Sequence, residues 1–521
     1  MSRQSIIKAA FLLTFCGVIC KLLGAFYRVP LTGLLTAEGM GMYYLVFPVF
    51  SFLISLTSSC VPQVLSKLVA ESVSNNNIKK AKAYFLCSIV IFFVFSFLCS
   101  FLLVMLAPLL SKIQNNSQNV LSYIVIAPAV FLVAVISCFR GFFQGFQTMT
   151  YTGLSQIIEQ IFKVVLGLFF ANKFLVYGLN MAVFGALFAV TLSELFALLY
   201  LAFCYIVFKK KNKLSVDKSA KINYKQCYKD IIKTALPFTL SYVLFPLSQF
   251  VDSIAVVGLL STSGLGKSVA TSVFGLYNGV VATLTNLPIV VSTAIAMAVL
   301  PTISHCFKRG DIEGAKSKVT ASFKFALYIL IPCVVAFIIF PDKIIYLIFG
   351  GLQSHTFNEL YVSSIMLILS SIGILYLGVF QISTAILQAE NKSYVPVRSL
   401  AIGIILRAVV LAVLLVIPGI NFYAIVIANV LCYVFVAMKN ISVLSRDFEF
   451  VINYKSYFFV PIISTFFMVC TSGICLLILQ NLFNYKIVCL LAFLLGGIVY
   501  LVSMFCFGEF RKKDMLQILK N

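Results

Sequence analysis

Apolar residues recur along this chain in blocks of about twenty, separated by short polar punctuation. The runs 89–110, 120–139, 329–340, 460–479 and 487–507 carry almost no charge. Most approach or exceed the roughly twenty residues that carry a helix across a bilayer core. The pattern predicts fourteen spans, near 7–30, 41–70, 83–110, 119–140, 151–172, 178–208, 230–258, 270–303, 322–341, 360–388, 394–416, 421–444, 456–480 and 487–508. The fold class expected is therefore an all-α integral membrane protein, with no soluble domain. The opening "MSRQSIIKAAFLLTFCGVICKLLG" starts like a signal sequence. It has no small-residue cleavage site and runs on into Lys21 and Arg28, so it reads as a retained first helix.

Polar residues inside these blocks are not scattered. In the fifth span Gln156, Glu159, Gln160 and Lys163 fall at i, i+3, i+4 and i+7, one stripe of a helix. Thr152 and Ser155 extend it, and the opposite face is Ile157, Ile158, Ile161, Phe162 and Val165. Ser241, Ser248, Gln249 and Asp252 share a face in the seventh span, as do Gln381, Thr384 and Gln388 in the tenth. A charged side chain at a helix centre costs about 2.5–3.5 kcal/mol on insertion, so such residues usually face a cavity or one another. Three wet stripes point to a shared polar cavity. Glu159 and Lys163 are also spaced to neutralise each other as an i,i+4 pair, and both readings stay open. Lys21 and Arg28 lie seven apart on one face of the first helix, with no acid nearby. They either snorkel to the interfaces or face an anion. Asp252 reads as a cation or proton site, or as a counter-ion to one of the bases. Glu194, in "TLSELFALLY", reads as peripheral, and Arg140 as an end-of-helix residue.

Composition then fixes the class. The chain is 61% hydrophobic and 11% charged, against about 25% charge in soluble domains. A net charge of +23 would fit nucleic acid, but the basic residues are placed otherwise. With both termini assigned inside, thirty of the 39 Lys and Arg fall on or beside inside segments. Five lie on outside segments (Lys112, Lys173, Lys267, Lys343, Lys486) and four within spans (Lys21, Arg28, Lys163, Arg407). That bias sets orientation, with excess charge near anionic headgroups, and argues against nucleic acid. The fifteen cysteines form no CxxC pair and only two histidines exist, so no disulfide framework, metal site or cofactor is expected. No GxxxxGK[ST] loop is present for a nucleotide.

A basic stretch, "FKKKNKLSVDKSAKINYKQCYKDIIK", divides the first twelve spans into two sets of six. The expected organisation is 1–208 for one lobe (helices 1–6), 209–229 for a cytoplasmic linker, 230–444 for a second lobe (helices 7–12), and 445–521 for two further helices and a basic tail. The lobes resemble each other. "VPQVLSKLVAESVSNNNIKKAKAYF" parallels "LPTISHCFKRGDIEGAKSKVTASF", aligning Pro62 with Pro301 and Ile78-x-x-Ala81-Lys82 with Ile312-x-x-Ala315-Lys316. Gln144 and Lys163 are spaced as Gln388 and Arg407 are. An even number of spans per copy gives a parallel repeat, with pseudo-symmetric lobes about a central cavity.

These same residues carry a family likeness. "RGFFQGFQTMTYTGLSQIIEQIFKV" resembles the RGxxQGxQxMxPxxxSQxxEQxxR/K pattern of stage V sporulation protein B and related polysaccharide transporters. Those belong to the multidrug/oligosaccharidyl-lipid/polysaccharide flippase superfamily. "LLGAFYRVPLTGLLTAEGMGMYYLVFP" and "LPIVVSTAIAMAVLPTISHCFKRGDIEGAK" are similar to it as well. Tyr151 stands where the family often has Pro. The resemblance implies a monomeric transporter of the cell membrane, not an enzyme. It would move a polyprenyl-diphosphate-linked sugar by alternating access, driven by a proton, sodium or substrate gradient or by the membrane potential. Arg140, Gly141 and Gln144 would form a cytoplasmic signature turn. Lys21, Arg28, Gln156, Glu159, Gln160, Lys163, Asp252 and Arg407 would line the cavity, with Glu159 holding Lys163. A drug or organic-cation antiporter of the same superfamily, and a non-transporting scaffold for wall or spore-envelope assembly, are the competing readings. A membrane-embedded glycosyltransferase would need clustered surface acids, which the short loops lack.

Overall fold

The computed structural model describes residues 3–211, 223–264, 266–350, 358–448, 455–480 and 484–507. Among them there is no β-strand, and thirteen helical segments are long and apolar enough to cross a membrane. The first of these, Phe15–Ser74, holds 60 residues. Its main helix α1, Arg3–Thr57, has 55 residues, which at 1.5 Å per residue is about 80 Å, more than twice a bilayer core of about 30 Å. It is broken at Thr36, whose φ of 59° and ψ of 179° lie outside helical space. The two expected opening spans are therefore present in sequence order, joined by a sharp break instead of a loop. The second ends sooner than expected, at Thr57. "VPQVLSKLVAE" forms a separate helix α2, Val61–Ser74, started by a proline in its first turn.

The chain forms two compact units, residues 1–275 and 276–521. The first continues with α3 Ile78–Ile113, α4 Val120–Gly145, α5 Met149–Leu175, α6 Leu179–Lys211, α7 Tyr224–Thr262 and α8 Lys267–Gly275. Residues 212–222 of the expected linker lie outside the described residues, while its flanks are helical as the ends of α6 and α7. The seventh helix packs with the first six. Phe85, Phe139, Phe142, Phe146, Tyr205 and Phe208 fill the space between α3, α4 and α6, with Phe85 and Phe142 ring centroids 4.7 Å apart. Outward, α3 shows Leu98, Phe101, Leu102 and Met105, each more than half exposed. Such a surface suits lipid and not water.

Close helix contacts in this unit are made through glycine. A Cβ on Gly41 would overlap the carbonyl oxygen of Thr271, and one on Gly275 would overlap that of Ala37. Thus the stretch of α1 just after Thr36 lies backbone to backbone on α8. Small residues are the usual means of such approach in membranes, where apolar side chains gain nothing by leaving lipid. Gln114, Asn119 and Tyr123 then bind that stretch from the other side. Gln114 Nε2 donates to the Leu45 carbonyl (3.0 Å) and Asn119 Nδ2 to that of Met42 (3.1 Å), and the Tyr123 hydroxyl is 2.7 Å from Gln114 Oε1.

The second unit holds a π-helical turn Leu276–Val281, then α9 Ala282–Arg309, α10 Ile312–Ile339, the short α11 Pro341–Phe349, α12 Glu359–Ala389, α13 Tyr394–Val416, α14 Ala424–Phe448, α15 Val460–Leu479 and α16 Tyr485–Cys506. The last two helices pack on each other, and α15 docks on α10. Tyr500 there donates to the Tyr328 carbonyl at 2.6 Å.

Within each unit the local geometry repeats at the aligned landmarks. Asn77 caps α3 through its side chain (2.9 Å to Lys80 N), and Asp311 caps α10 in the same way (2.8 Å to Gly314 N). The residue before each cap is left-handed, Asn76 with φ 56° and Gly310 with φ 71°. Ala81 and Ala315 are both fully buried. Three residues after the matched Gln144 and Gln388, Gln147 and Asn391 turn the chain with φ of 59° and 65°. The likeness between the two halves is thus carried by backbone geometry as well as by residue type.

Candidate functional site

The fifth-span stripe is the core of the site, and its partners come from α1, α4 and α6. Arg140, near the end of α4, reaches α5: its Nη2 donates to Glu159 Oε2 at 2.8 Å and its Nε to Ser155 Oγ at 3.0 Å. Ser155 is buried, and its hydroxyl donates a hydrogen bond to the Thr152 carbonyl at 2.7 Å. Gln160 Nε2 completes the carboxylate shell at 3.3 Å from Glu159 Oε1. Glu159 therefore belongs to Arg140 and does not hold Lys163. A guanidinium is planar and forked, so one Arg satisfies a serine and a carboxylate together, which an ammonium on the same helix cannot.

Lys163 sits instead over an aromatic ring, its Nζ 5.1 Å from the Phe47 centroid. Arg28 does the same over Tyr44, with Cζ at 5.8 Å. Both rings belong to the α1 stretch after the Thr36 break, so the break sets two aromatic faces under two cations. The charged groups that act on Lys163 are Glu159, Glu194 and Arg28. Those that act on Glu194 are Glu159, Arg140 and Lys163. Glu194 is buried near the middle of α6, and its Oε2 lacks a hydrogen-bond partner. It is a member of the cluster and not peripheral to it. Phe162 and Phe196 stack at 4.1 Å beside it, pressing α5 onto α6.

The α1 face opposite the stripe is shaped by glycine. A Cβ on Gly24 would just meet Gln160 Oε1 (3.9 Å), and one on Gly167 of α5 would run into the Tyr27 ring. Lys21, one turn earlier on α1, is exposed. Gln156 is half-buried on the stripe. The three residues expected to form a signature turn are still helical. Arg140, Gly141 and Gln144 lie in the last turns of α4, and the chain turns only after Gly145, at Phe146–Thr148. The reason is packing: a Cβ on Gly141 would press Leu65 and Pro62 at 3.0–3.1 Å, and one on Gly145 would press Val69 at 2.6 Å. The glycines let α2 lie on a continuing helix. Tyr151, at the family's proline position, packs its ring on Phe143 at 4.8 Å, which ties the start of α5 to α4 by another means.

Asp252 is buried on α7 in the same unit but is not among the charges acting on Lys163 or Glu194. Arg407 is in the second unit, on α13, and is only 6% exposed. Its Nε donates to Asn429 Oδ1 at 2.7 Å, and Asn429 Nδ2 donates to the Tyr277 hydroxyl at 2.7 Å, on the π-helical turn. At the offset where α5 has Glu159, α13 has Gly403, packed on Cys432 and Val436 of α14. At the offset of Ser155 it has Ser399, which donates to Asn440 Oδ1 at 2.8 Å. The polar stripe of α12 is taken up by neighbours, since Gln381 accepts from Thr293 (2.8 Å) and Thr384 from Asn440 (3.4 Å). The place in the second unit that corresponds to the ion-pair cluster thus holds, among the described residues, hydrogen-bonded serine and asparagine side chains around a buried arginine. Sequence spacing missed Arg140 as a partner, Asn429 and the two aromatic platforms. Only the presence of a second mid-span acid, Glu194, was visible as a signal.

The sequence model of the polysaccharide biosynthesis protein family matches residues 6–307, and that of MatE matches 237–414. The chain is 27% identical to stage V sporulation protein B of Bacillus subtilis (strain 168), over 88% of this chain and 87% of that protein. It is 24% identical to the lipid II flippase MurJ of the same organism, over 78% and 76%. A solved lipid II flippase MurJ in an inward closed conformation shares the fold, with a TM-score of 0.70 at 15% identity, covering 97% of this chain and 100% of the other. The chain is a multi-pass membrane protein of the polysaccharide biosynthesis protein family, within the multidrug/oligosaccharidyl-lipid/polysaccharide flippase superfamily.

Proposed function

We propose that this protein is a flippase that carries a polyprenyl-diphosphate-linked sugar across the cell membrane by alternating access. The observation that carries the reading is the cluster of charges between α1, α4, α5 and α6 itself. Arg28, Arg140 and Lys163 outnumber Glu159 and Glu194 there. A diphosphate headgroup cannot cross hydrocarbon unaided, whereas its polyprenyl tail is at home there. A basic site inside the protein lowers the barrier for the first part and leaves the second in lipid. Lys163 and Arg28 are the contact residues in this reading, each oriented by an aromatic face. Arg140, anchored on Ser155, holds Glu159, and Gln156 and Gln160 offer neutral donors to the glycan. Arg407, positioned by Asn429, is the counterpart base of the second unit. The names of the relatives, stage V sporulation protein B and lipid II flippase, support an envelope glycan as the cargo. The termini are assigned to the cytoplasm from the lysine bias, and the protein is a transporter, not an enzyme.

The MatE match over 237–414 favours one other reading, a cation:ion antiporter. Cation binding would call for acids in excess, the opposite of what the cluster offers. The test is reconstitution in liposomes with a panel of polyprenyl-diphosphate sugars and a panel of organic cations. Translocation of at least one lipid-linked sugar is expected, reduced at least tenfold by K163Q and by R28Q in protein that stays folded. Cation efflux without sugar translocation would replace this reading with the antiporter.

A further inference from the structure

The ion pairs of the cluster leave one acid unaccounted for. Arg140 is committed to Glu159 and Ser155, and Lys163 to the face of Phe47. Glu194 is 7% exposed, and its Oε2 is enclosed without a partner. An ionised carboxylate buried with an unpaired oxygen is costly. A neutral carboxyl in the same place is much less so. The charged groups that act on it stand on two neighbouring helices, with two further groups of α1 behind them. Glu159 and Lys163 stand on α5 and Arg140 on α4. From α1 come Cys20, beside Glu159 and Arg140, and Arg28, beside Lys163. The short turn Ser117–Asn119 offers no titratable side chain.

We infer that Glu194 is a proton-binding site whose occupancy sets the charge presented to an anionic ligand at Lys163. With the proton bound, Arg140 and Lys163 face a single carboxylate, and the three groups carry one net positive charge. When the proton leaves to solvent, the Glu194 carboxylate competes for Lys163 and the four groups are neutral. A proton and a diphosphate therefore bind together, each favouring the other, as linkage requires. This inference rests on the flippase reading for the identity of the anion but not for the proton site.

The experiment uses the full chain in lipid nanodiscs, with two readouts. The first is infrared difference spectroscopy during a pH titration without ligand. A protonated-carboxyl carbonyl band is expected in the wild type, absent from E194Q and retained in E159Q and E71Q. In K163Q the band should persist to higher pH, because removing a cation favours the neutral acid. That variant keeps Glu194 and serves if E194Q fails to fold. The second readout is binding of farnesyl diphosphate, expected to be about tenfold tighter at acid than at alkaline pH in the wild type, within the usual range of coupling between sites. The difference between wild type and E194Q isolates the protein's share. E194Q should bind tightly with most of that pH dependence removed. Absence of the band from the wild type, or its survival in E194Q, overturns the inference and leaves the flippase reading intact. No diphosphate binding at any pH, with the band behaving as expected, removes the flippase reading and keeps the proton site.

Discussion

At the scale of single residues, the site depends on which base holds which acid. Arg140 and Glu159 are nearly closed off from solvent, at 12% and 17% side-chain exposure. Removing one partner strands the other, which for buried pairs costs about 3–5 kcal/mol, and less with this residual exposure. R140Q and E159Q should each lower the thermal midpoint of purified protein, and the double variant should lose clearly less than the sum of the two. A double-mutant cycle on detergent-solubilised protein measures this, and additivity would mean the pair contributes nothing. K163Q, by contrast, removes only a cation–π contact of about 0.5–2 kcal/mol and should leave the midpoint close to wild type while affecting transport. The i,i+4 spacing of Glu159 and Lys163 was plain in the sequence. That Glu159 would choose Arg140 was not, because Arg140 lies on another helix and its reach depends on how α4 and α5 pack.

At the scale of elements, the break at Thr36 and the glycines after it position half of the site. A β-branched residue at φ 59° is a strained conformation, held here by the contacts of Ala37, Gly39 and Gly41 with α6 and α8. G41A and G275A force a methyl into a facing carbonyl and should cost about 1–3 kcal/mol each, with reduced yield of monodisperse protein by fluorescence-detected chromatography. G33A, with open space around it, is the control and should behave as wild type. A wild-type profile for G41A would mean that this contact is looser than described. The sequence "LLTAEGMGMYY" shows Gly39 and Gly41 but not their facing partners, Leu179 and Thr271, which lie far along the chain. It also gave no sign of the break, since threonine at positive φ is an exception that local propensity predicts against.

At the scale of the whole molecule, the proposal that both termini are cytoplasmic rests on the distribution of lysine and arginine. C-terminal fusions test this. A green fluorescent protein fusion should fluoresce and an alkaline phosphatase fusion should be inactive, while phosphatase placed at Lys343 or Lys486 should be active. The reverse pattern would overturn the assignment. The spans were legible because hydropathy has a long period and no competing signal. Their ends were less so: the second span was drawn through Ser58–Cys60, where the chain actually turns to begin α2. The repeat was legible at a few residues, and the left-handed turns and side-chain caps at those residues give it physical content.

The sequence by itself determined that the chain crosses the membrane many times, that its halves are related, and that charge is placed at mid-span on α1, α5, α6, α7 and α13. These follow from one-dimensional facts: run length, period and the cost of burying charge. Tertiary structure alone decided which charges meet. It gave Glu159 to Arg140, set Lys163 and Arg28 on aromatic rings, and brought Glu194 into the cluster. In the second unit it placed a glycine contact where the first has an acid. Those outcomes depend on which helix faces which and how closely, and close approach is set by small residues whose partners are far away in the chain.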